Sequence, residues 1–170
     1  MATLEQRIKT LEDRAEIQDL VARYFQVTDD DDEAGLADCF TANARFVASG
    51  YEGGTTREGV MAFLKSARSA MHQSVHTPHY VHITFTGPDA ATGTVMAHLE
   101  IGMGGTTIYA AVRYLDTYVR DEGTWRIASR EMRAVHVGSW DLVASSLSDP
   151  NNVRWPGAAP APSDFRWKAV

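Results

Sequence analysis

The chain has 170 residues, 44% of them apolar and 22% charged, which suits one globular domain with its own core. A net charge of −6 with no basic stripe disfavours nucleic acid and anionic membranes as partners. The single cysteine, Cys39, excludes an internal disulfide, and no apolar run approaches the ~18 residues of a membrane helix.

No basic region and apolar run of a signal peptide open the sequence, so a reducing cytoplasmic setting is expected. Thr3 and Gln6 have the spacing of a capping box. Leu4, Ile8, Leu11 and Ala15, then Ile17, Leu20, Val21, Tyr24 and Phe25, recur at helical spacing and predict one helix over roughly 4–27. The run Asp29-Asp-Asp-Asp32 ends it. A short helix is expected from about Glu33 to Phe40, with Cys39 packing as a small hydrophobe, and a short strand over 44–48. Gly50, Gly53 and Gly54 bracket another extended piece. Thr55-Thr-Arg-Glu58 is a second capping-box candidate, opening a helix with Val60, Phe63, Leu64 and Ala67 on one face and an end near His72.

From Val75 the apolar period changes from 3.6 to 2. Strands are predicted over Val75–Thr86, Ala91–Ile101, Thr107–Arg120 and Thr124–Val137, separated by Gly87-Pro-Asp89, Gly102-Met-Gly-Gly105 and Asp121-Glu-Gly123. After Gly138 the composition changes. Asp141–Leu147 reads as a short helix, and Asp149–Pro162 holds four of the six prolines. Trp155, Phe165 and Trp167 would be unusual in a fully solvated tail and are expected to dock. The fold class is therefore α+β: a body over 1–138, in which a twisted antiparallel sheet with helices over its concave face leaves a cone-shaped cavity. A C-terminal helix and proline-rich tail over 139–170 is expected to dock on the pocket or on a neighbouring subunit.

Four stretches in this order carry a resemblance. They are Arg14-Ala-Glu-Ile-Gln-Asp-Leu20 with Asp29 after it; His76-Thr-Pro-His-Tyr80; Gly87-Pro-Asp-Ala90; and Tyr114-Leu-Asp-Thr-Tyr-Val-Arg120 with Gly123-Thr-Trp-Arg-Ile127 and Arg130. Over roughly residues 4–137 the chain resembles the SnoaL-like branch of the nuclear-transport-factor-2-like superfamily. The pattern is similar to hexachlorocyclohexane dehydrochlorinase and, more distantly, to scytalone dehydratase and bile acid dehydratase. The resemblance implies an Asp–His pair that removes a proton from carbon while a leaving group departs. It places that pair at Asp29 and His76, an arginine at the leaving-group end at Arg130, and a polar pocket-facing helix position at Tyr24. Two departures stand out. Tyr80 occupies a position where relatives often carry asparagine, and Thr28 and Ala48 fall near the places of the scytalone dehydratase tyrosines.

The chemistry needs these residue types. Imidazole, with a reference pKa of ~6.5, is a useful base near neutrality. A carboxylate on its other nitrogen fixes the tautomer and stabilises the imidazolium. Strict alternation from Trp125 puts Arg133, not Arg130, on the Trp125 face. A bulge would move Arg130 inward, so both arginines remain anion-binding candidates. Tyr24 shares a helix face with Leu20. Tyr80, Tyr114 and His98 are further substrate-contact candidates, and Asp116, Glu100 and Met96 fall on the same two strands.

His76, His79 and His82 alternate faces, and His76 and His82 would lie ~20 Å apart even on one face, so no metal is expected. Neither a phosphate loop nor a nucleophile motif is present, so no cofactor is expected. The resulting expectation is a cofactor-independent lyase, of dehydratase type, acting on a small hydrophobic substrate such as a steroid or polyketide. An isomerase, cyclase or monooxygenase-like activity in the same pocket, or a non-catalytic small-molecule-binding protein, is the alternative. The outer side of such a sheet is expected to pair with another chain, giving a homo-oligomer, a trimer or a dimer.

Overall fold

Thr3 starts the first helix in the computed structural model, which describes residues 3–168. Its hydroxyl accepts from the Gln6 N–H at 3.2 Å, and its own N–H donates to Gln6 Oε1 at 2.8 Å. The two units expected from the sequence each run two residues past the described range. Helix α1 spans Leu4–Asp29, two residues beyond the expected end. It buries Ile17, Leu20, Val21, Tyr24, Phe25 and Val27, while Leu4, Ile8 and Leu11 stay exposed. The apolar spacing of the first turns is therefore not satisfied among the described residues.

A short α2, Glu33–Asp38, is capped by Asp32, whose carboxylate accepts from Gly35 N–H. Strand β1 runs Phe40–Ala48 and β2 Tyr51–Gly54. Helix α3 covers Arg57–Arg68, is capped by Thr56 rather than Thr55, and ends four residues before His72. Four long strands follow: β3 Ser74–Gly87, β4 Ala90–Met103, β5 Thr106–Asp121 and β6 Thr124–Ser139. Trp140–Ser148 is a 3₁₀ helix.

The six strands make one sheet in the order β2-β1-β6-β5-β4-β3. All pairs are antiparallel except β1–β6, which is parallel. The inner face carries the core and supports the helices; Val95, Ala97, Leu99 and Ile101 of β4 and Val112, Tyr114 and Tyr118 of β5 are buried there.

Among the single-residue bulges of the sheet, three decide which side chains near the cavity face inward. In β3, Pro78 pairs with Ala97 and Tyr80 with Met96, leaving His79 over. In β6, Ala128 is left between the Thr117–Ser129 and Tyr118–Ile127 pairs, and Val135 between Ala111–His136 and Val112–Ala134.

The C-terminal segment completes the sheet edge. β1 pairs with β6 only as far as Met132. Beyond that point Val137 N–H donates to Asn152 O and Arg154 N–H to Val137 O, both at 2.9 Å, so Val153 lies parallel beside β6. Val153 in turn bridges to Ala161. Asp164 anchors the end of the segment by accepting from Ala134 N–H and the Ser49 hydroxyl at 2.7 Å. Phe165 lies 4.4 Å from the Arg113 guanidinium, while Trp167 remains 42% exposed.

Candidate active site

α1 ends where β3 begins, and this juxtaposition brings Asp29 to His76. Asp29 Oδ1 lies 2.6 Å from His76 Nδ1. The backbone N–H of His76 donates to Oδ2 at 2.8 Å, and the Ser74 hydroxyl donates to Oδ1 at 2.8 Å. Burial opposes ionisation of Asp29. The hydrogen bonds from the His76 ring and backbone, the imidazole's charge and the Ser74 hydroxyl outweigh it and hold the carboxyl below the usual carboxylate range. An ionised carboxylate only accepts, so the proton sits on Nδ1 and the lone pair of a neutral ring on Nε2. Phe25, one turn before Asp29, stacks on the imidazole with centroids 5.3 Å apart.

His76 lines a cavity of about 780 Å³ between the helices and the inner face of the sheet, within the ~300–1,000 Å³ range of small-molecule sites. Its walls are mainly apolar, with Phe46, Phe63, Leu64, Leu99 and Ile101, and with four of the six methionines: Met61, Met71, Met103 and Met132. Thr28 and Ala48 line it too. Charged side chains at its rim are internally paired. Arg68 Nε meets Asp31 Oδ1 and Lys65 Nζ meets Glu33 Oε1, both at 2.7 Å.

Tyr24 and Tyr114 also line the cavity, with centroids 6.5 Å apart. Behind them lies Arg130, brought to the inner face by the Ala128 bulge and fully buried. Its Nε donates to Asp116 Oδ1 at 2.9 Å and its Nη2 to Asp116 Oδ2 at 2.7 Å. Tyr118 donates to the same carboxylate at 2.6 Å. The guanidinium carbon sits 4.0 Å from the Tyr24 ring centroid and 4.7 Å from that of Tyr114, a cation–π arrangement. Nη1 has no hydrogen-bond partner among the described residues. Burial works against the charged guanidinium, but Asp116 more than offsets it and holds Arg130 protonated. Burial likewise raises both phenols, with Arg130 pulling part of each shift back, so both remain O–H donors near neutrality.

Several sequence expectations are corrected here. Arg130 faces inward but does not line the cavity: the rings of Tyr24 and Tyr114 lie between it and the open space, so the expected direct reach of its guanidinium into the pocket is not seen. Arg133 is on the outer face, 40% exposed and bonded to Glu131, because the Ala128 bulge reverses the alternation from Trp125. Tyr80 is also on the outer face, 46% exposed, turned there by the His79 bulge. The same bulge separates His82 from His76, so the two do not share a face. His98 points outward by simple alternation with the buried Leu99. Its Nδ1 meets Tyr109 Oη at 2.6 Å and its ring stacks edge-on against His79. Among the described residues, no group of three or more His, Cys, Asp or Glu is placed to hold a metal ion.

Sequence reasoning gave Asp116 only as a strand neighbour of Tyr114 and missed Ser74, Phe25 and the methionine lining. Two of these had a signal. Phe25 and Asp29 are four apart on a helix, and Ser74 and His76 are two apart on a strand.

A curved six-stranded sheet with helices packed on its inner face and a cavity between them defines the nuclear-transport-factor-2-like fold. An NTF2-like protein with a cystatin-like fold from Novosphingobium aromaticivorans shares it, with 25% identity over 85% of this chain and 97% of that one and a TM-score of 0.68. The sequence profile of the SnoaL-like domain matches residues 9–131, and the chain belongs to that family. The hexachlorocyclohexane dehydrochlorinase LinA-type3 of Novosphingobium barchaimii LL02 has the same fold, with 21% identity, 78% and 93% coverage and a TM-score of 0.74. So does a scytalone dehydratase-like protein of Novosphingobium aromaticivorans DSM 12444, with 16% identity, 95% and 99% coverage and a TM-score of 0.78. No curated protein matches the sequence significantly. Among the described residues, no helix is long and apolar enough to cross a membrane.

Proposed function

We propose that the protein is a cofactor-independent lyase that removes a proton from carbon with His76 as general base. The observation that carries this reading is the 2.6 Å Asp29–His76 contact at the wall of an apolar cavity. A pocket used only to bind needs no carboxylate on the far side of an imidazole, whereas a base catalyst does. The dehydrochlorinase and dehydratase-like proteins that share the fold add support.

In the proposed step, His76 Nε2 takes a proton from a C–H made acidic by a neighbouring carbonyl. The C–H electrons form the new double bond, and the C–O bond to a β-hydroxyl breaks. The departing hydroxide takes a proton from Tyr24 or Tyr114 and leaves as water. The tyrosinate is short-lived beside Arg130 and regains its proton from the imidazolium. Asp29 stabilises that imidazolium while it lasts. The apolar walls exclude water and strengthen these charge interactions. Isomerisation and cyclisation begin with the same proton abstraction and belong to the same reading.

The substrate class is hydrophobic and hydroxylated, of the size of a steroid or polyketide. A homo-oligomer joined across the outer sheet face, where Val75, Tyr80 and Trp140 are exposed, and a reducing setting for the buried free Cys39 complete the proposal. The test is turnover of a panel of β-hydroxy ketones by the wild type beside His76→Ala and Asp29→Asn. Loss of ~10²–10⁴-fold in both variants is expected; equal turnover in all three removes the mechanism.

A further inference from the structure

The cavity is not closed by the SnoaL-like domain alone. The family profile ends at residue 131, yet Trp155 and Pro156 line the cavity. They are held there by backbone pairing rather than by chance collapse. Arg154 N–H donates to Val137 O at 2.9 Å, Ala161 N–H to Val153 O at 2.8 Å, and Ala158 N–H to Trp155 O at 3.0 Å. Asn152 and Val153, just before the indole, are buried. A Cβ added at Gly104, in the β4–β5 turn, would lie 3.7 Å from Pro156, so the segment also reaches that hairpin.

We propose that Trp155 is a specificity-determining residue of this cavity, and that its indole stacks on a neutral, fused-ring substrate. This rests on the lyase reading for the word substrate, but not for the binding itself. Three observations select the ligand class. The first is shape: a half-buried indole on the cavity wall, held by a paired backbone, presents aromatic surface, and aromatic rings pair offset or edge-on with one another. The second is the lining: methionines at Met61, Met71, Met103 and Met132 are polarisable and adaptable, and suit aromatic ring surfaces. The third is charge. Arg68 and Lys65 are occupied by Asp31 and Glu33 at the rim, and Arg130 is bonded to Asp116 behind the tyrosines. Among the described residues the lysine and arginines near the cavity are each paired with a carboxylate. A ligand carboxylate or phosphate would have to compete for them or meet only the imidazoles of His72 and His76, and its desolvation would be poorly compensated.

Isothermal titration calorimetry tests this without any turnover, using 2-naphthol, phenol and 2-naphthoate as probes. The wild type is expected to bind 2-naphthol at least about tenfold more tightly than 2-naphthoate, a difference of ~1.4 kcal/mol. Trp155→Ala is expected to weaken 2-naphthol about tenfold while changing phenol less than about twofold, and Trp155→Phe to stay within about threefold of wild type. Equal 2-naphthol affinity in wild type and Trp155→Ala overturns the proposal. So does 2-naphthoate binding as tightly as 2-naphthol, or a wild type that binds no 2-naphthol. His76→Ala separates the two readings: retained naphthol binding with no effect on turnover of the β-hydroxy ketones leaves Trp155 in place and removes only the lyase.

Discussion

Asp116 and Arg130 lie directly opposite each other on β5 and β6 and share two hydrogen bonds, with neither side chain exposed. A buried pair of this kind is costly to break one partner at a time, because the survivor is left charged in a low-dielectric interior. Asp116→Ala is expected to destabilise the fold by ~3–5 kcal/mol, read as a lower midpoint in urea denaturation, whereas Asp116→Leu combined with Arg130→Met is expected to recover most of that loss. A single variant as stable as wild type would show that the pair is not held as described.

Gly93 tests the neighbouring contact. A Cβ at this position would lie 2.5 Å from Tyr118 Cε2 and 2.8 Å from its hydroxyl, and Tyr118 is fully buried and bonded to Asp116. The ring cannot swing away without breaking that bond. Gly93→Ala is expected to cost ~1–3 kcal/mol by overpacking, seen as a lowered thermal midpoint. An unchanged midpoint would contradict the packing at this position.

The Asp29 carboxyl predicts a pH dependence of stability. Its folded pKa is depressed, so its contribution is fully present above the unfolded reference of ~3.9 and is lost as pH falls through the folded value. The wild type is therefore expected to lose thermal stability more steeply than Asp29→Asn as pH drops below about 4. Parallel acid limbs for the two proteins would show that Asp29 carries no such stabilisation.

The elements were legible in the sequence because each rests on local signals: the Thr3–Gln6 cap, the apolar stripe from Ile17 to Phe25, and the Gly-containing turns between long β-branched runs. The α+β class followed from their order. Facing was less legible. Period-2 alternation gives the right face only until a bulge intervenes, and His79 and Ala128 carry no residue-type mark of being bulges. For that reason Tyr80, Arg133 and His82 are on the other side of the sheet from the cavity, and Arg130 is inside. His98 was misplaced for another reason: alternation sets it outward beside Leu99, but which face is the inner one is decided by helix packing. The tail aromatics Trp155, Phe165 and Trp167 are all expected to dock from composition alone, yet Trp167 stays 42% exposed; the position of Trp155 over the cavity depends on β1 leaving the end of β6 free, which is a property of the whole sheet.

Proton abstraction by His76 is tested most directly by hydrogen–deuterium exchange at the carbon next to the carbonyl of a fused-ring β-hydroxy ketone in D₂O, followed by NMR. This reads the C–H cleavage itself, whether elimination or isomerisation follows. A base at His76 predicts enzyme-dependent deuterium incorporation or loss at that carbon in the wild type, reduced ~10²–10⁴-fold in His76→Ala. Exchange at the same rate in His76→Ala as in the wild type would contradict it.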